Sequence, residues 1–116
     1  PPCRLAIAGT WSDWAPERMP WYGGFFAYPV VVGSSGWESF QLLVESAWEK
    51  AVYPSTKDAS QFERDWAICG PDGRGHGKNW KVGKAGVEKV WPGLRFSVVV
   101  TADAHGRFTS VRWRPL

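Results

Sequence analysis

Residues 94–101, LRFSVVVT, decide the fold. Leu94, Phe96, Val98 and Val100 fall on one side of an extended chain. Arg95, Ser97, Val99 and Thr101 fall on the other. A period of two is the mark of a strand with one face in a core. The segment TADAHGRF follows as a tight turn, with Gly106 at a left-handed position. Residues 107–114, RFTSVRWR, then set Thr109, Val111 and Trp113 against Ser110, Arg112 and Arg114. Two alternating runs about a turn make an antiparallel hairpin.

The same pattern extends outward. Residues 3–9 place Leu5 and Ile7 on one face, and residues 38–45 set Phe40, Leu42 and Val44 against Gln41, Leu43 and Glu45. Residues 24–32, GFFAYPVVV, are aromatic and β-branched, and Pro29 assigns them to an edge or a bulge. Shorter strands are expected at 49–53 and 79–82, and VVGSSGWE reads as a second hairpin. Only residues 57–68 have helical character: Asp58 is placed to cap a turn or two, with Phe62 and Trp66 four apart on one face. The expectation is all-β: an immunoglobulin-like antiparallel sandwich of about seven strands with one short helical turn in the 54–79 loop. Its core would be Leu5, Ile7, Phe40, Leu42, Val44, Phe96, Val98 and Val111.

At 116 residues the chain is read as one module spanning 1–116, large enough to bury a core. Hydrophobic residues at 44% and charged residues at 22% exclude general disorder. A net charge of +3 is too mild to require nucleic acid as a partner, and none is expected. No window is long and apolar enough to span a membrane as a helix. The chain starts PPCRL, without an initiator methionine, and is expected to be a processed chain or an excised domain. Cys3 and Cys69 lack partners at metal-ligand spacing; two buried free thiols are expected, with a disulfide tying the first strand to the long loop as the alternative. The setting is expected to be intracellular or organellar, with the compartment itself left open.

No catalytic constellation is present. His76 and His105 belong to no known nucleophile or metal signature. In GPDGRGHGKNW, residues 70–80, Gly77-Lys78 is followed by Asn79 and a strand, where a phosphate-binding loop would need Ser or Thr and a helix. The stretch reads as a connecting loop. The expected protein is not an enzyme and needs no cofactor or metal.

The unusual figure is nine tryptophans. A short core does not need that many, so some are expected to contact a ligand or partner. Three segments give this expectation a form. RLAIAGTWSDW runs strand, then Gly-x-aromatic-x-x-Trp; SFQLLVESAWEKAVYPS runs through an acidic turn to Trp48 and a proline exit; GKNWKV brings Asn79 just before a strand. In that order and spacing residues 4–83 resemble a carbohydrate-binding β-sandwich. It is the glycogen-binding domain of the AMP-activated protein kinase β subunit, found also at the N-terminus of starch-branching and debranching enzymes. The resemblance implies that Trp14 and Trp48 stack on sugar rings and that Asn79 bonds sugar hydroxyls. Trp11 takes the place of the family's inward-packed aromatic. Gln41 stands where the family has a glucan-contacting lysine. The segment between Pro54 and Asn79 is longer than the family pattern, so it would cover the site or add a contact surface.

Two functions follow. The first is a non-catalytic binding module for an α-glucan such as starch or glycogen, with Trp14, Trp48, Asn79 and Gln41 as its ligand-binding residues. The alternative is an accessory subunit that uses the same fold to dock on neighbouring protein subunits through exposed Trp and Arg. Arg107, Arg112 and Arg114, with Arg95 opposite, read as a solvated face.

Overall fold

The computed structural model describes residues 1–116. Nine strands and two 3-10 turns make up the chain. In order they are β1 (Leu5–Gly9), β2 (Glu17–Arg18), β3 (Phe26–Val31), β4 (Glu38–Val44), β5 (Ala51–Pro54), β6 (Ile68–Asp72), β7 (Trp80–Val82), β8 (Arg95–Ala102) and β9 (Phe108–Pro115). The 3-10 turns are Thr10–Ser12 and Trp48–Lys50. All the strand pairings are antiparallel. The fold is all-β and sandwich-like, as expected.

The smaller sheet has the order β3-β8-β9. Its inner face carries Phe26, Val30, Phe96, Val98, Val100, Val111 and Trp113, all buried. β3 is an edge strand, which accommodates Pro29 because an edge leaves one row of backbone groups unused. Asp103 closes the β8–β9 turn by accepting the amides of His105 and Arg107 on Oδ1, and Gly106 takes φ +79°. A register shift beyond Thr101 then puts Thr109 in solvent, so it does not share the inward face of Val111 and Trp113. The outer edge of β9 is capped by a side chain. Gln61 accepts the Trp113 amide on Oε1 at 2.9 Å and donates from Nε2 to the Trp113 carbonyl at 2.7 Å. The carboxamide thereby imitates a neighbouring strand and blunts the edge.

The larger sheet has the order β2-β1-β4-β5-β6, with β7 also on β4. Leu5, Ile7, Phe40 and Leu42 face the smaller sheet and are fully buried, while Val44 is half-buried at the margin of the core. Phe40 lies at its centre, with ring centroids 5.6 Å from Trp80 and 5.8 Å from Trp113. VVGSSGWE is a corner and not a hairpin, because β3 and β4 lie in different sheets. The buried Glu38 carboxylate fixes that corner, accepting from Gly33 N–H at 2.8 Å and Thr10 Oγ1 at 2.6 Å.

Residues 57–68 form no helix. Asp58 sits at φ +49°, outside helical geometry, and caps nothing. Ala59 instead runs beside Trp80, accepting the Lys81 amide and donating to the Asn79 carbonyl, both at 2.9 Å. Phe62 is exposed, whereas Trp66 packs edge-on to Trp80, so the two do not share a face. Cys3 and Cys69 are free, as expected, but half-buried. Burial pushes the Cys3 thiol above its ordinary range.

Candidate functional site

The outer face of the larger sheet is also apolar. Ala6, Ala8, Leu43, Ala51 and Tyr53 form a second buried cluster there, with Trp14 and Cys69 packed on it. Strict alternation would leave Leu43 in solvent, yet it has no exposed surface. Its cover is the site.

The segment GTWSDW, residues 9–14, builds one side. Its 3-10 turn ends in two left-handed residues, Asp13 at φ +52° and Trp14 at φ +63°. The Trp14 amide returns to the Gly9 carbonyl at 2.9 Å. Left-handed backbone is costly for a bulky residue, by about 1–2 kcal/mol. Here it sends Trp14 to the outer face, while Trp11 goes to the core side. Trp11 folds back over Gly9, packs against the core cluster and donates from Nε1 to Glu17 Oε1 at 2.7 Å.

A second turn builds the opposite side. Glu45 and Ser46, both at φ +57°, join β4 to the chain ahead of β5, closed by the Ala47 amide on the Val44 carbonyl. Both central residues being left-handed is the twist that a tight hairpin prefers. Trp48 comes two residues later, at the head of the second 3-10 turn, and is 44% exposed.

The floor lies in a fork. β4 pairs with β7 through residues 38–40 and with β5 through residues 42–43, on the same side. Gln41 sits where the two partners part. Its side chain is buried, and Nε2 donates to the carbonyls of Gly75 and Lys78. No hydrogen bond to protein occupies its Oε1. The fork is filled by the glycine-rich segment 73–78, which also carries the Lys78 amide on the Gly75 carbonyl at 2.9 Å. Gly75 lies flat on the Tyr53 ring, leaving no space for a Cβ. Tyr53 in turn donates to Asp72 Oδ1 at 2.7 Å. Asp72 is held below the usual carboxylate range by the Arg74 amide and the Tyr53 hydroxyl. That same bond pushes the Tyr53 hydroxyl up.

Together these elements enclose a cavity of about 560 Å³ lined by Trp14, Gln41, Trp48, Gly73, Gly75, His76, Gly77, Asn79 and Ala51. All the residues anticipated as ligand contacts therefore open on one space. Trp14 and Trp48 make no ring–ring contact with each other. Neither indole N–H is used within the protein, and the Asn79 carboxamide is equally unengaged. The volume falls in the range of small-molecule pockets. It offers flat apolar faces with a few polar groups between them. His76 lies in the connecting loop, as expected, and that loop also lines the cavity. No group of three His, Cys, Asp or Glu side chains is arranged to hold a metal ion, and no helix is long and apolar enough to cross a membrane.

No family model, curated protein or solved structure matches the chain.

Proposed function

We propose that the chain is a non-catalytic binding module for an α-glucan, held between Trp14 and Trp48. The observation that supports this most is the convergence of Trp14, Trp48, Gln41 and Asn79 on one cavity. These positions span 65 residues, from Trp14 to Asn79, and come from separate turns and strands. Sugar rings present C–H faces that indoles bury, and a hydroxyl rim that carboxamides meet. The contact is small and partly polar, so the affinity is weak.

The test is retention on insoluble starch or glycogen. Trp14→Ala should remove about 1–1.5 kcal/mol of aromatic contact beyond simple area loss, near tenfold in affinity, which releases a weak binder. Its far-UV spectrum should stay that of the wild type. A wild-type domain that binds no α-glucan at millimolar oligosaccharide, or a Trp14→Ala variant retained like the wild type, refutes the proposal. The rival reading, an accessory subunit docking on protein neighbours, draws on Arg95, Arg107, Arg112 and Arg114. All four are exposed, and none is paired with a carboxylate. It requires that the isolated domain bind no glucan.

A further inference from the structure

We infer that the segment Gly73–Lys78 is itself a ligand-binding wall, that Gln41 is the residue positioning it, and that the cleft so formed takes a stretch of glucan chain. This rests on the glucan reading of the cavity. Without the segment, Trp14 and Trp48 would flank an open sheet face. With it, Gly73, Gly75, His76 and Gly77 supply a third side.

The wall is built from backbone. Three of its cavity-lining residues are glycines, so apart from His76 the wall offers the cavity peptide groups and no side chains. The amides of His76 and Gly77 donate to no acceptor in the protein, and the exposed His76 imidazole has no partner. These are unused donors on residues that line the same cavity as the two indoles. A sugar's hydroxyl rim, which both accepts and donates, is the chemistry that would use them.

The wall is also held. Gln41 Nε2 ties the segment at both ends of its turn, to the Gly75 and Lys78 carbonyls, and the Tyr53 ring backs Gly75. A loop fixed before the ligand arrives loses little freedom on binding. Gln41 therefore acts through the wall, in addition to offering its own Oε1. Its placement in the fork between β5 and β7 explains why a carboxamide serves at this position: it has the two donors that two carbonyls need.

The test uses the intact domain and maltohexaose as the probe, followed by amide NMR. Titration should shift the His76 and Gly77 amides together with the Trp14 and Trp48 indole N–H signals. Gln41→Met, which keeps length and loses both donors, should weaken maltohexaose binding about tenfold. His76→Ala should weaken it severalfold with an unchanged melting temperature. Should Gln41→Met fail to fold, the wild-type titration and His76→Ala carry the test. If maltohexaose shifts the indoles and leaves the His76 and Gly77 amides still, or if His76→Ala and Gln41→Met bind like the wild type, the wall is refuted and the glucan reading stands. If maltohexaose moves none of these signals, both fall.

Discussion

Replacing Gly9 with alanine tests how one short segment sorts two tryptophans onto opposite sides of a sheet. Gly9 has φ −151°, extended backbone that alanine adopts freely, so conformation raises no objection. The obstacle is Trp11. A Cβ on Gly9 would enter the six-membered ring of that indole. The ring must then swing away, giving up its Nε1–Glu17 bond at 2.7 Å and its packing near Phe40, 6.3 Å between centroids. A hydrogen bond to a charged acceptor contributes about 1.5–3 kcal/mol. Partial exposure of an indole adds about 1 kcal/mol. The expected loss is about 3 kcal/mol, or about 10–15 °C in melting temperature for a domain of this size. Urea unfolding followed by circular dichroism measures it. The decisive arm is the double variant. Once Trp11→Ala has removed the ring, Gly9→Ala should cost nothing and even gain about 0.5 kcal/mol of strand stability. A Gly9→Ala variant as stable as the wild type, or costs that simply add in the double variant, would refute the account.

Two further outcomes are expected. Phe96→Ala, at a site 1% exposed between the sheets, should cost about 3–5 kcal/mol in urea unfolding, and a cost under 1 kcal/mol would remove Phe96 from the core. Burial, with Glu17 nearby, pushes the Tyr28 hydroxyl from 10.0 up to about 12. The folded state then keeps a proton that the unfolded chain releases, so this stabilisation is complete below pH 10 and is lost between pH 10 and about 12. Tyrosinate absorbance should show the delayed ionisation, and Tyr28→Phe should abolish that part of the alkaline loss of stability.

Where one side of a strand meets the core and the other meets water, the sequence was enough. β9 shows this, with Val111 and Trp113 buried and Arg112 and Arg114 exposed. The pattern misleads where that condition fails. β4 is covered on both faces, so Leu43 and Gln41 are as buried as Phe40 and Leu42. Nothing local distinguishes a Gln aimed at solvent from one bonded to a loop more than thirty residues on. The short helical turn expected within 57–68 fails for a related reason. Phe62 and Trp66 have helical spacing, but Ser60 and Gln61 spend their side chains on backbone groups. Ser60 Oγ takes the Phe62 amide at 3.2 Å, and Gln61 caps β9. Such bonds compete with a helix for the same donors and acceptors. β2, with two residues, carries no period to read, and β6 (ICGPD) mixes Gly and Pro into its run.

The candidate site was legible as a set of residues that share a cavity and illegible as a shape. The tryptophans and Asn79 could be named because each follows a turn signal, and turns expose what comes after them. What makes a cavity of these positions is the division of β4 between β7 and β5, and a pairing change within one strand leaves no mark on its composition. The glycines of 73–77 read as slack for the same reason. Glycine is required both where a chain is loose and where another group must approach closely, and only the Tyr53 ring against Gly75 separates those cases. Gln41 illustrates the consequence for function. Taken as a surface residue, it is a weaker substitute for a lysine that reaches a ligand. Buried in the fork with two carbonyls on its amide nitrogen, it has a different task, which a lysine's single nitrogen on a long flexible stem would perform with less geometric control.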